Sequence, residues 1–251
     1  MLAIERKKKI LEQVVRNRRV VVAELSEQFG VTEETIRRDL NGLEKDGYVD
    51  RTHGGAVPRK AEAEDLPYGT RHLTNLDAKH LIAAKVAEIV KNGQSVLMDS
   101  STTAFEALAA LKAHSDLTLI TNSVRLLSDT DATNHTVISV GGELRRQSGT
   151  FVGPLTVRSI SQFNADVALI SCKALSLEGG IMETNIADAE VKRAFISSAR
   201  CVCLLVDGGK FDESALITIG GLENIDIVVT DRKPSDAWVE HLEGLHVKLV
   251  Y

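Results

Sequence analysis

The chain has 251 residues, 43% of them hydrophobic, with four prolines, three cysteines and a formal net charge of −5. That composition can build one large domain or a small one plus a larger one, and it is too apolar and too poor in proline for a mostly disordered chain. No apolar run reaches the roughly 18 residues of a membrane span, the basic start at Met1–Lys9 lacks the apolar stretch of a signal peptide, and Cys172, Cys201 and Cys203 are too few for a disulfide framework, so the expectation is a cytoplasmic protein with reduced thiols.

Charge is unevenly placed. Residues 1–60 hold 13 Lys and Arg against 10 Asp and Glu, a surplus of 3, while the rest hold 17 against 25, a deficit of 8. Arg6, Lys7, Lys8, Lys9, Arg16, Arg18 and Arg19 cluster at the front. A basic small end on an acidic body suggests a polyanionic partner for the small end alone.

In chain order, Ile4, Leu11, Val14 and Val15 share one face of a first helix, with Ile10 at its margin. Val20-Val21-Val22 is too short to predict a strand of its own. A second helix is expected over about 23–29, burying Leu25 and Phe29 and ended by Gly30. Thr32 is the N-cap of a third helix, and Glu33 and Glu34 suit its positive end. That helix runs to about Asp46, with Ile36, Leu40 and Leu43 inward, Thr35, Arg37, Arg38 and Asn41 outward, and Asp39 placed to orient an arginine. Gly47 stops it. Tyr48–His53, a Gly54-Gly55 turn and Ala56-Val57 read as a β-hairpin. Helix, helix, turn, helix and hairpin over residues 1–57 make a winged helix-turn-helix, whose third helix can enter the DNA major groove. The DNA-facing candidates are Thr32, Thr35, Arg37, Arg38 and Asn41 on that helix and Arg51 and His53 on the hairpin. Phosphate contacts would set affinity and base contacts sequence choice.

Residues 58–75 have no apolar period and read as a linker. From residue 76 to 251 helices and strands alternate, which predicts a largely parallel sheet covered on both faces. Strands are expected at 95–98, 117–120, 136–140, 167–170, 202–206, 217–219, 225–229 and 247–250, with helices over about 77–91, up to 111, and near 124–129, 155–163, 187–198 and 236–242. A polar cluster follows five of the strands: Asp99-Ser100-Ser101-Thr102-Thr103, Thr121-Asn122-Ser123, Gly141-Gly142, Ser171-Cys172-Lys173 and Asp207-Gly208-Gly209-Lys210. Ligands bind open α/β sheets at this edge, where helix N-termini offer unpaired N–H groups to phosphate. Thr102 and Thr103 should open a helix with their hydroxyls toward that edge. Asp99 should orient a loop hydroxyl or receive one from the ligand, and Lys210 should bring positive charge. Taken singly, such a loop is better explained by helix capping than by a ligand, and Gly141-Gly142 and Gly208-Gly209 equally by plain turns; it is the five at one edge that point to a ligand.

Val22–Ser26, Gly30-Val31-Thr32, Thr35–Leu40 and Arg51–Ala56 together resemble the amino-terminal domain of the DeoR family of bacterial repressors. The segments 99–103, 121–123, 141–145, 171–173, 190–193 and 207–211 resemble its sensor domain. The resemblance implies a second domain akin to the ribose-5-phosphate isomerases and a repressor of a carbohydrate-utilisation operon. It would bind double-stranded operator DNA as a homo-oligomer and answer to a phosphorylated sugar, with no cofactor, metal or catalysis. It implies an effector site of Asp99, Ser100, Ser101, Thr102, Thr103, Thr121, Asn122, Ser123, Gly141, Gly142, Lys173, Glu183, Asp207 and Lys210. The chain departs from the family at Gly208-Gly209, where serines are commoner. The alternative is a sugar-phosphate isomerase joined to a DNA-binding domain, with Glu183, Asp188, Glu190 and Asp207 as available acids and bases.

Overall fold

The structure is a computed structural model. It describes residues 2–45, 47–58, 68–130 and 134–251, apart from the side chains of residues 4, 8 and 16. The expected roles of Ile4, Lys8 and Arg16, the helix end at Asp46 and most of the linker, residues 59–67, therefore lie outside the described residues. The chain divides into two compact units, Met1–Thr74 and Asn75–Tyr251.

The first unit holds α1 (Ala3–Asn17), β1 (Val20–Val21), α2 (Val22–Phe29), α3 (Glu33–Lys45), β2 (Val49–Thr52), β3 (Gly55–Pro58) and α4 (Tyr68–Leu73). Its core joins Ile10, Leu11 and Val14 of α1 to Leu25 of α2 and to Ile36, Leu40 and Leu43 of α3. Ile10, expected at the margin of the helix face, is fully buried and central; it lies one turn before Val14, and these two set the inward direction. Gly30 ends α2 in a left-handed conformation, and Val31 N–H reaches Ser26 O at 3.1 Å. The valine run does form a strand, because it has a partner: β1 pairs with β3 in a three-stranded sheet ordered β1-β3-β2. The crossing needs glycine at 55, where a Cβ would sit 1.8 Å from Val20 O. The hairpin turn falls one residue early, at His53-Gly54, since Gly55 already pairs with Thr52. Helix α4 occupies residues read as linker; six residues are too few to show a period, but Tyr68 and Thr70 are buried and Leu73 packs on the core.

The second unit is built on seven parallel strands, ordered β15-β14-β12-β9-β4-β5-β6. They are β4 (Ser95–Met98), β5 (Thr118–Thr121), β6 (Thr136–Ser139), β9 (Ala165–Ser171), β12 (Ala199–Leu205), β14 (Ile227–Val229) and β15 (Lys248–Val250). Helices α5 (Leu76–Ile89), α6 (Thr102–Leu111), α7 (Val124–Asp129), α8 (Pro154–Ile160), α9 (Ile186–Ser197) and α10 (Asp236–Gly244) connect them. Alternate side chains enter two separate cores. Leu97, Ala168, Ile170 and Leu204 join Phe195 and Trp238 on one face. Val96, Met98, Val167, Leu169 and Leu205 join Ile82, Val86 and Leu108 on the other. Burial on both faces is why these strands read as continuous apolar runs. The three cysteines are free thiols.

Two small sheets were not foreseen. One is the hairpin β7 (Glu143–Arg145) with β8 (Thr150–Val152). The other is antiparallel, ordered β10-β11-β13: β10 (Ala174–Ser176), β11 (Gly180–Glu183) and β13 (Ile217–Gly220). It takes the strand expected at 217–219 away from the main sheet, because Ile217 pairs with Glu183 rather than with a core strand.

Candidate functional site

Helix α3 begins as its sequence demands. Thr32 Oγ1 accepts the Thr35 N–H at 3.3 Å, and the two hydroxyls are 3.0 Å apart. With Ile36, Leu40 and Leu43 buried, Arg37 and Arg38 are exposed. Arg37 pairs with Glu33 one turn back at 2.6 Å. Arg38 has no hydrogen-bond or ion-pair partner among the described residues. Asp39 does orient an arginine, and that arginine is Arg6 of α1, 2.6 Å away and 7% exposed. Arg6 is therefore a buried brace between α1 and α3, and it drops out of the basic surface expected at the front of the chain.

His53 is exposed at the hairpin tip. Arg51 is held by the protein instead. Its Nε donates to Gly55 O at 3.1 Å, and one terminal nitrogen donates to Asn41 Oδ1 at 2.7 Å and Arg37 O at 3.2 Å. Its backbone N–H donates to Glu44 at 3.1 Å. Arg51 and Asn41 thus join the wing to α3.

In the main sheet the chain order of the strands is 7-6-5-4-1-2-3, so its direction of travel reverses between β4 and β9. That is the topological switch point, where a crevice opens at the carboxyl edge. The five polar loops follow the adjacent strands β12, β9, β4, β5 and β6, and so they line this edge side by side.

Asp99, 1% exposed, stands at the reversal. It binds backbone on both sides: Oδ1 accepts Ser101 N–H and Oδ2 accepts Ser171 N–H, each at 2.9 Å. It orients two loops through their amides, where a hydroxyl partner was expected. The cap of α6 is Ser101, whose hydroxyl accepts Ala104 N–H at 3.0 Å. Thr102 and Thr103 occupy the first two helical positions, where N–H groups have no intrahelical acceptor. Both are buried, and Thr103 Oγ1 has no hydrogen-bond partner among the described residues. On the next loop Thr121 donates to Met98 O at 2.7 Å and Ser123 caps α7. Asn122 donates to Phe151 O at 2.9 Å, and its buried Oδ1 is unpaired among the described residues. Gly142 lets its loop lie against α8, where a Cβ would fall 1.9 Å from Thr156 Oγ1.

On the other side of Asp99, Lys210 Nζ donates to Ser171 Oγ at 2.9 Å and lies 3.6 Å from Asp207. Asp207 Oδ1 also accepts Asn75 Nδ2–H at 2.7 Å. Lys173 is half-buried and has no side-chain bond among the described residues. The residue left out of the expected effector site, though it lies in the family-like segment 190–193, is Lys192. Its ammonium is buried, bonds Glu183, donates to Ser171 O at 2.7 Å and lies 3.7 Å from Asp99. Burial opposes its charge, but the Glu183 and Asp99 carboxylates outweigh burial and raise its pKa. Burial likewise pushes Glu183 up, and the Lys192 charge overrides this and leaves it low. A lysine three residues after Ala189 and three before Phe195, both fully buried, was the available signal: it falls in the apolar stripe of α9.

The carboxylates offered for isomerase chemistry are mostly occupied. Glu183 faces Lys192, Asp188 binds Arg145 at 2.6 Å, Asp207 faces Asn75 and Lys210, and Glu190 is exposed.

Comparison with known proteins agrees with this division. The model of the DeoR-like helix-turn-helix domain matches residues 6–61, and that of the DeoR C-terminal sensor domain matches residues 74–232. The uncharacterized HTH-type transcriptional regulator YulB of Bacillus subtilis is 36% identical, covering 99% of this chain and 96% of that protein. The glycerol-3-phosphate regulon repressor of Escherichia coli K12 is 33% identical and covers 99% of both. Among solved structures, ribose 5-phosphate isomerase A of Methanocaldococcus jannaschii is 13% identical with a TM-score of 0.41, covering 55% of each chain. The relatives aligned along the whole chain are transcription regulators, so the isomerase alternative is without support. With both halves matched in order, the chain belongs to the DeoR family of transcription regulators.

Proposed function

We propose that the protein is a cytoplasmic repressor of a carbohydrate-utilisation operon whose operator binding is set by a phosphorylated sugar or polyol. The observation that carries the effector half is the convergence of five polar loops at the switch point, around the N-terminus of α6, with Thr103 and Asn122 holding unpaired buried oxygens. The phosphate lies on the first N–H groups of α6 and on Lys210, and the hydroxyls of the sugar meet Asn122 Oδ1 and the Ser100–Thr103 side chains. Asp99, Glu183 and Lys192 hold the loops. Gly141, Gly142, Thr121 and Ser123 shape the wall, and Lys173 stands beside it. On DNA, Thr32, Thr35, Arg37 and Arg38 face the groove and His53 the backbone, while Arg51 and Asn41 fix the wing. The protein works as a homo-oligomer, which places two recognition helices on half-sites about 34 Å apart.

Thermal melting against a panel of sugar phosphates tests the reading. Glycerol 3-phosphate comes first, since the relative 33% identical to this chain is named for that regulon. A compound at 100 times its Kd stabilises the folded state by about 2.7 kcal/mol. The same compound must change operator affinity in a gel shift. A panel without any stabilising member removes the effector half of the proposal, and light scattering that finds a monomer removes the oligomer.

A further inference from the structure

Asp207, in the loop after β12, is 3% exposed and has its two oxygens divided. One faces Lys210 Nζ at 3.6 Å. The other accepts Gly209 N–H at 3.2 Å and Asn75 Nδ2–H at 2.7 Å. Asn75 is the first residue of the second unit and directly follows Thr74, the last of the first. Its backbone is left-handed, with φ 54°, and its carbonyl accepts Lys79 N–H at 3.1 Å in the opening turn of α5. Asn75 is itself exposed, so its amide is not there to fill a core. A left-handed non-glycine residue just outside a helix, reaching a buried carboxylate 132 residues away, has a stronger reason to be asparagine than capping, since its side chain makes no cap bond.

We infer that Asn75 is a positioning residue of the effector site, through which occupancy at Lys210 influences operator binding. The inference rests on the effector site proposed above. An anion bound by Lys210 competes with Asp207 for the ammonium. Asp207 then carries more uncompensated charge and holds the Asn75 amide more tightly, and with it the backbone that opens α5. A ligand shifts a conformational equilibrium only through contacts that differ between the two states, and the inference assigns that part to this bond.

The test measures the affinity of the full-length protein for glycerol 3-phosphate and for ribose 5-phosphate by calorimetry, free and saturated with operator. The ratio of the two affinities is the coupling, which ordinarily lies between about 5- and 150-fold. Asn75→Gly keeps the left-handed backbone and deletes the amide; Asn75→Gln restores an amide on a longer arm. Asn75→Gly should still bind sugar phosphate and operator but bring the ratio to within about twofold of unity, with Asn75→Gln recovering part of it. Asp207→Ala should abolish the ratio too, and the double variant should go no further, as expected of two residues acting through one bond. A purely structural Asn75 would lower the melting temperature in Asn75→Gly and leave the ratio at its wild-type value, and that result overturns the inference. If neither sugar phosphate binds wild-type protein while the fold and operator binding are intact, the effector site itself is refuted, and this inference falls with it.

Discussion

The guanidinium of Arg51 makes three bonds to protein oxygens, one to Gly55 O within the wing and two across to α3, at Arg37 O and Asn41 Oδ1. A lysine supplies the same charge without the planar fork. Arg51→Lys should therefore weaken operator binding by about tenfold, near the 1.4 kcal/mol of one lost bond, with the salt dependence unchanged. Were Arg51 mainly a phosphate contact, lysine would serve nearly as well, and Arg51→Ala would lower the salt slope by about 1. Arg37 and Arg38 diverge on the helix surface by about 100°. Each alanine variant should weaken binding, and a base-reading arginine contributes roughly 1–3 kcal/mol of discrimination. Gel-shift titration at fixed salt, with unchanged affinity in both, would take α3 out of the interface.

The Glu183–Lys192 pair makes a pH prediction. Glu183 has a lowered folded-state pKa, so its contribution is present above the ordinary carboxylate value, about 4.3, and is lost as pH falls through the folded value. Lys192 has a raised one, so its contribution is present below about 10.4 and is lost as pH rises beyond that. Lys192→Met leaves a buried carboxylate without its main partner and should cost about 3–5 kcal/mol at neutral pH. Burial, then the dominant influence, raises the Glu183 pKa, so this variant should regain stability on acidification toward about pH 5 while wild type does not. Melting temperatures across that range decide it, and parallel curves would show that the pair is not coupled.

At the level of elements, α6 separates two roles that its sequence ran together. Ser101 is the cap, and Thr102 lies beyond it. Ser101→Ala should lower stability by about 1 kcal/mol, the ordinary loss of a cap. Thr102→Ala should still fold and should weaken sugar-phosphate binding roughly tenfold or more, as loss of a bond to a charged group does. Reversed outcomes on melting and calorimetry would move the phosphate away from α6. Elements with long apolar runs or caps were legible: α3, the parallel strands and their order of alternation with helices. The hairpin β7–β8 and strands β10 and β11 were not, because three or four residues of mixed polarity carry no period. The valine run at β1 became a strand only through Gly55, a pairing partner 34 positions on. Of the site, the loop residues could be read, because strand ends are local. What braces them could not: Lys192 meets Asp99 across 93 positions and Arg51 meets Asn41 across the wing.

At the level of the whole molecule, the two units divide the work, and a variant in one should leave the other intact. Lys210→Ala should bind operator with wild-type affinity and require about ten- to a hundredfold more sugar phosphate to respond. Loss of operator binding in that variant would mean that the charge serves the fold.

The reversal of strand order between β4 and β9 also has a consequence for the time course of folding. Ser171 must find Asp99 across 72 residues and Lys210 must find Ser171 across 39 more, and the Asn75–Asp207 bond closes a loop of 132. Contacts so distant along the chain form late, whereas the first unit pairs neighbours within its first 58 residues. On the ribosome, where amino-terminal domains fold first, the helix-turn-helix unit should be formed while the second unit, Asn75–Tyr251, is still to be made. For some seconds of each synthesis the half that carries the recognition helix should therefore exist without the half that carries the five polar loops.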